Sequence, residues 1–173
     1  MVLGISLAAY TTIHVIISLI GIASGLVVLY GLIKGKRLDA WTGLFLATTV
    51  LTSVTGFGFP FNGITPAIKL AIISLFVLAV AIIARYPMHM SGGWRKTYVI
   101  SACIALYLNC FVLVVQSFEK VPALKAAAPT QKEAPFVVAQ LTVLLIFAVL
   151  TYFAARRFRA EPIVVARSAG KAA

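Results

Sequence analysis

The sequence predicts an all-α fold, an integral membrane bundle of five transmembrane helices with the amino terminus outside and the carboxyl terminus in the cytoplasm. Hydrophobic residues make up 62% of the 173 residues, whereas soluble domains contain roughly 45–50%. They are concentrated in five stretches of about 20 residues, which is the length a helix needs to cross a hydrocarbon core of ~30 Å. The lysines and arginines between these stretches are unevenly distributed, and this predicts the orientation.

Charged residues, glycines and prolines bound the five predicted spans. The first span ends before Lys34, and the apolar residues 2–9 could extend it outward. The second ends in the segment 56–63, which contains glycines and a proline and breaks the helix. The third begins at Pro66, because proline is favoured in the first turn of a helix. The predicted spans are residues 10–33, 41–57, 66–85, 97–117 and 135–155.

The distribution of positive charge separates the loops into two sets. Eleven of the fifteen lysines and arginines fall in one set of alternating loops and the tail, namely Lys34, Lys36, Arg37, Arg85, Arg95, Lys96, Arg156, Arg157, Arg159, Arg167 and Lys171. The other set holds Lys69, Lys120, Lys125 and Lys132. Because cytoplasmic loops carry the excess of positive charge, the first set is predicted to be cytoplasmic. The chain then divides into a five-span domain, residues 1–155, and a basic cytoplasmic tail, residues 156–173.

A net charge of +11 would suggest nucleic acid as a partner for a soluble chain. In this chain the basic residues stand at the ends of apolar stretches and in the tail, so they indicate membrane orientation and no nucleic acid partner. The partners we expect are membrane lipid and either a second copy of the chain or other membrane subunits.

The cysteines and histidines argue against the simplest redox and metal sites. Cys103 and Cys110 are seven residues apart on one helix, an axial gap of about 10 Å that forbids a disulfide, so we expect them to pack. His14 and His89 are predicted on opposite sides of the membrane, so they cannot both ligate one haem. Residues 88–90, Met-His-Met, contain ligand types that suit Cu(I), but a surface loop is the expectation. The sequence identifies no cofactor.

Five polar residues are predicted in the outer half of the membrane and form the candidate ligand-binding site: His14, Asn109, Gln116, Glu119 and Gln140. Asn109, Gln116 and Glu119 are spaced to form one stripe along the fourth span. A polar group facing hydrocarbon costs several kcal/mol, so these residues are expected to face inward, with a polar residue of the fourth span next to His14. Two interpretations remain open: hydrogen bonds between helices, or a site for a ligand, ion or proton. If His14 has no polar neighbour from the fourth span, the first interpretation, hydrogen bonds between helices, is favoured.

Small and hydroxylated residues mark two further helix faces. Thr48, Thr52 and Thr55 repeat along the second span, where they could line a hydrated path or bond their own backbone one turn back. Gly21 and Gly25 form a small-xxx-small motif in the first span, which permits close approach of another helix, internal or from a second copy.

Two connections have distinctive sequences. Residues 91–93, Ser-Gly-Gly, predict a tight hairpin between the third and fourth spans. Residues 118–136 are long for a helix connection, and their alanines and prolines predict a short helical turn on the surface, which could cover the outer polar group as a lid.

The second connection also carries a resemblance. Its Lys-Val-Pro-Ala-Leu (120–124) and Ala-Pro-Thr-Gln (128–131) segments are similar to those of small multispan bacterial membrane proteins, over residues 106–136. The resemblance implies a multispan protein of a bacterial inner, or cytoplasmic, membrane. It brings no assigned activity and no site residues.

Three classes of function follow from these observations. The first is a small binding or transport module with an outward-facing polar recess that binds or passes a small molecule or ion. The second is a non-catalytic accessory or assembly subunit of a larger membrane complex, and the third is a haem or quinone redox protein. The sequence contains no catalytic signature, and the rarity of charge inside the spans disfavours an ion-driven pump.

Overall fold

The computed structural model describes residues 4–61 and 63–159. The predicted tail therefore lies outside the described residues from position 160 onward, as do residues 1–3 of the apolar prefix. The elements are six helices: α1 Leu7–Ile33, α2 Asp39–Gly56, α3 Pro66–Arg85, α4 Trp94–Lys120, α5 Pro122–Ala127 and α6 Ala134–Arg157. Each of the five predicted spans is a helix, with ends within three residues of the prediction.

Four of these helices, α1, α3, α4 and α6, are long and apolar enough to cross a membrane. The protein is therefore a helical bundle with the character of a multispan membrane protein. The helix α2 has 18 residues but is not among the four. It begins at Asp39 and contains five threonines, which lower its mean hydropathy.

The helix starts follow from local sequence. Ser6 caps α1, since its Oγ accepts a hydrogen bond from the Ala9 N–H at 3.2 Å. Thr65 caps α3, since its Oγ1 accepts a hydrogen bond from the Ile68 N–H, and Pro66 lies in the first turn as predicted. Side-chain caps of this kind satisfy backbone donors that the helix itself cannot use.

The turn between α3 and α4 confirms the predicted hairpin, although it is longer than the three residues that predicted it. His89, Met90 and Gly92 all have positive φ, at 47°, 55° and 52°. The Met90 N–H donates to the Ala84 carbonyl at 2.9 Å, and the Met90 side chain is buried in the core. A buried methionine therefore fixes the reversal, and the glycines complete it.

The helix α4 lies at the centre of the bundle and packs against α1, α2, α3 and α6. Its residues Tyr98 and Leu106 are fully buried beside Phe45 of α2 and Leu78 of α3. By contrast, α6 buries only Phe147 and Ala154 and lies at the edge.

The bundle has two ends that we name by their residues. The basic end contains residues 34–38, 86–93 and 157–159, and contacts between Arg85 and Asp39 and between Arg95 and Phe158 hold it together. The distal end contains residues 57–61, 63–65 and 121–133, where Tyr10 meets Phe59.

Candidate functional site

Among the described residues, no hydrogen bond joins any two of the five predicted site residues. They lie in separate contacts along the bundle, and two of them are exposed.

His14 forms its hydrogen bond with α2, and among the described residues no hydrogen bond joins its side chain to α4. Its Nδ1 lies 2.8 Å from the Thr55 Oγ1, and its ring meets Phe59 edge-to-face with centroids 5.1 Å apart. The Thr55 hydroxyl donates to the Leu51 carbonyl at 2.6 Å, so its oxygen is left to accept. The His14 Nδ1–H is therefore the donor in this hydrogen bond.

Asn109 is buried against α1 and α2. Its Nδ2 donates to the Thr49 Oγ1 at 3.3 Å, and the residue as a whole is 9% exposed. A Cβ at Gly21 would lie 3.2 Å from the Thr48 Oγ1 and 3.6 Å from the Asn109 Nδ2. The glycine therefore lets three helices meet around one amide, which is an internal use of the small-xxx-small motif.

Gly25 makes the second close approach of that motif. A Cβ there would lie 2.5 Å from the Leu106 Cδ1 and 2.9 Å from the Phe45 ring. Both neighbours belong to the same bundle, so the motif packs α1 against α2 and α4 of its own chain.

Gln140 joins α6 to α4 near the distal end. Its Nε2 donates to the Phe111 carbonyl at 3.2 Å, while its Oε1 is buried without a partner among the described residues. Gln131, in the preceding loop, donates to the Val115 carbonyl at 3.0 Å. Two glutamines thus use carbonyls of the last turns of α4.

Gln116 and Glu119 are exposed, so the predicted stripe does not stay inward along its length. Asn109 is level with Thr49, and seven residues of helix rise about 10 Å. Gln116 is therefore level with Gly56, where α2 ends. Spacing along α4 predicted one inward-facing stripe, but of its three residues only Asn109 is buried, and α2 ends at the level of Gln116.

Most threonines of α2 donate hydrogen bonds to carbonyls of their own backbone. This is the second of the two predicted uses, and it does not require a hydrated path. Thr48 donates to the Leu44 carbonyl at 2.7 Å, and Thr55 donates to the Leu51 carbonyl, in each case one turn back along α2. Thr52 differs, since its Oγ1 is buried without a partner among the described residues. Next to it, the Ser53 Oγ lies 3.1 Å from the Ser74 Oγ and links α2 to α3.

A buried charge at the basic end was missed by the sequence reasoning, which treated Arg85 as a loop residue. The Arg85 side chain is 3% exposed and forms an ion pair with Asp39, whose side chain is 63% exposed. Its guanidinium lies 5.0 Å from the Tyr98 ring centroid, a cation–π contact. The signal was available in the sequence, because Asp39 is the one acidic residue before Glu119.

Two buried polar atoms beside this ion pair have no partner among the described residues: the Arg85 Nε and the Tyr98 hydroxyl. Nearby, Arg95 donates to the carbonyls of Ala155 and Phe158, which fixes the last turn of α6 to the first turn of α4. The basic end is therefore a polar connection between helices.

The distal loop contains α5, which confirms the predicted short helix. The helix begins at Pro122, buries none of its own residues and packs against the end of α4. The loop leaves Gln116 and Glu119 of the predicted polar group exposed.

Glu133 orders the end of that loop. A desolvation cost raises its pKa, but hydrogen bonds from the Thr130 hydroxyl and from the backbone N–H groups of Thr130 and Lys132 outweigh that cost. The pKa of Glu133 therefore lies below the ordinary value of a glutamate.

A lateral groove of about 370 Å³ runs between α3 and α4 toward the basic end. It is lined by Phe76, Val77, Val80, Lys96, Thr97, Ile100, Ser101 and Ile104. The groove opens on the outside of the bundle and contains none of the predicted site residues.

The histidines and cysteines are dispersed. His14 lies near the distal end and His89 at the basic end, as predicted. Within residues 4–61 and 63–159, no three histidine, cysteine, aspartate or glutamate residues are grouped closely enough to hold a metal ion. Cys103 and Cys110 are free thiols, the first buried and the second half-buried.

Comparison of the chain with protein-family models, with curated proteins and with solved structures finds no match.

Proposed function

We propose that the protein crosses a bacterial inner membrane five times, with the amino terminus outside and the basic tail of residues 156–173 in the cytoplasm. The proposal makes α2 the fifth span. This helix reaches from the basic end, where Asp39 pairs with Arg85, to the distal end, where Thr55 meets His14. Its 18 residues correspond to about 27 Å, close to the thickness of a hydrocarbon core.

Within that membrane, the function we propose is that of a non-catalytic accessory or assembly subunit of a larger complex. The observation that carries this proposal is that Asn109 bonds Thr49, while His14 bonds Thr55. Both partners belong to α2, so these two polar side chains are used to hold helices together.

The energetics of buried polar groups supports this use. An amide left alone in hydrocarbon costs several kcal/mol, whereas an interhelical hydrogen bond contributes about 0.6 kcal/mol on average. Pairing therefore mainly avoids a penalty and selects one arrangement of the helices. A bundle arranged in this way presents a fixed outer surface to its neighbours.

A second candidate is a binding or transport module that opens outward. One observation favours it: the Oε1 of Gln140 is buried without a partner among the described residues, in the half of the bundle that contains His14. A small donor molecule or a water could satisfy this oxygen.

Native mass spectrometry of the protein extracted with its surrounding lipid tests the two candidates. An accessory subunit should be recovered with protein partners in a fixed stoichiometry, and His14→Phe should lower the unfolding temperature without removing any retained small molecule. Gln116→Leu, a change at an exposed residue, should alter neither property. The accessory role would be contradicted if the unchanged protein were a monomer that retains a small molecule, and if both variants remained folded but lost that molecule. This result would support the binding module.

A further inference from the structure

The groove between α3 and α4 is apolar over most of its length. Phe76, Val77 and Val80 form one wall, and Ile100 and Ile104 form the other. Its two hydroxyl groups are already used, since Thr97 donates to the Gly93 carbonyl and Ser101 donates to the Thr97 carbonyl. The surface inside the groove is therefore suited to a hydrocarbon chain.

One end of the groove is positively charged. Lys96 lines it and forms no ion pair with any residue in 4–61 or 63–159. Arg95 beside it is bound to the carbonyls of Ala155 and Phe158, so Lys96 is the cation that remains accessible.

The start of α4 adds to this positive charge. Its first turn contains no acidic residue, and Gly93 provides no side-chain cap. The partial positive charge of a helix amino terminus is therefore not offset locally, which favours an anion at this level. Tyr86 and Trp94 are exposed nearby, as aromatic residues at a membrane interface commonly are.

We propose that this groove binds an anionic phospholipid, with the phosphate at Lys96 and one acyl chain along Phe76, Ile100 and Ile104. The site depends on the chain residing in a membrane and not on its orientation or on the accessory role. A phospholipid explains both properties of the groove, because it joins an anion to a long hydrocarbon chain.

A helix of another subunit fits the groove less well. From Lys96 to Ile104 the groove extends over about 12 Å, roughly two helical turns. Helices pack closely in membranes where small residues line the contact, whereas Phe76, Ile100 and Ile104 are bulky. A flexible acyl chain can follow such a surface.

The test is lipid binding to the purified, delipidated protein, measured by native mass spectrometry. Phosphatidylglycerol and phosphatidylcholine with identical acyl chains serve as the two probes. We expect phosphatidylglycerol to bind about fivefold more tightly, the contribution of one lysine near a headgroup of net negative charge, because the choline of phosphatidylcholine offsets its phosphate. Lys96→Gln should abolish that preference, and Lys69→Gln, at the other end of α3, should retain it.

A second pair of variants tests the groove itself. Ile104 is 39% exposed and lines the groove, while Val112 is 38% exposed on the same helix and does not. Ile104→Trp should reduce binding of both lipids, and Val112→Trp should leave both unchanged. The unfolding temperature of each variant serves as the check on folding.

Three results of the lipid-binding measurements would overturn the proposal. They are equal binding of the two lipids by the unchanged protein, the same loss of preference in the Lys69 and Lys96 variants, and undiminished binding in Ile104→Trp. A dimer that Ile104→Trp dissociates would also overturn it, since a second copy of the chain would then occupy the groove.

Discussion

The guanidinium of Arg85 is buried and needs a balancing charge, and its Nε lacks a hydrogen-bond partner among the described residues. Asp39→Asn removes the charge that balances it. We expect a loss of stability above ~1 kcal/mol but below the ~3–5 kcal/mol of a fully buried pair, because Asp39 remains in contact with solvent.

The matched control is Arg37→Gln, which removes the exposed partner of the same carboxylate. It should cost at most about 1 kcal/mol. Thermal unfolding can be followed with a thiol-reactive fluorogenic dye, which detects exposure of Cys103 and Cys110. Equal losses in the two variants would mean that burial of Arg85 does not matter.

Glu133 provides a prediction about pH. Its lowered pKa means that the contribution of its carboxylate to loop order is present at neutral pH and is lost as the pH falls through the folded-state pKa, below the usual ~4.3. Thr130→Val should raise that pKa, because it removes the hydroxyl that donates to the carboxylate at 2.8 Å. Carbon-detected NMR titration of the carboxyl group measures both values, and an unchanged pKa in the variant would contradict this account.

At the scale of elements, the contact of α1 with α2 and α4 depends on Gly25. Gly25→Ala places a methyl group against Leu106 and Phe45 at distances that require both to move. We expect a destabilisation of about 1–3 kcal/mol, as is usual for overpacking. The same thiol-exposure measurement reports it.

Gly43 is the control for this substitution, since a Cβ there meets nothing within 4 Å. Gly43→Ala in α2 should be neutral or stabilising by up to about 1 kcal/mol, because alanine favours helix. A similar loss at both glycines would show that the contact of α1 with its neighbours is not close.

The helices were predictable and most of their polar contacts were not. Apolar length and the flanking charged or proline residues predicted all five long helices, because these signals are local. The partner of Asn109 depends on which helix lies across from it, and spacing along α4 carries no such information. Asp39, the one acidic residue before Glu119, was a sequence signal for an ion pair, but its pairing with Arg85 depends on where α2 packs.

At the scale of the whole molecule, the distribution of charge predicts topology. A phosphatase that is active only outside the cytoplasm should be inactive when fused after Ala173 and active when inserted within residues 125–132. This expectation rests on the uneven distribution of lysine and arginine: eleven lie in the loops and tail predicted to be cytoplasmic, and four lie in the loops on the other side. The reverse pattern of activity would place the distal end in the cytoplasm.

The central claim is that polar residues inside the bundle join helices to one another. A double-mutant cycle of Asn109→Leu and Thr49→Val, measured as the free energy of unfolding, tests it most directly. We predict a coupling of about 0.6 kcal/mol, with ~1.7 kcal/mol as the upper end for such bonds. Asn109→Leu combined with His14→Phe should be additive, since the two residues share no contact. The claim would be contradicted if the effects of Asn109→Leu and Thr49→Val were additive while those of Asn109→Leu and His14→Phe were coupled. The two predicted site residues, Asn109 and His14, would then act as one unit.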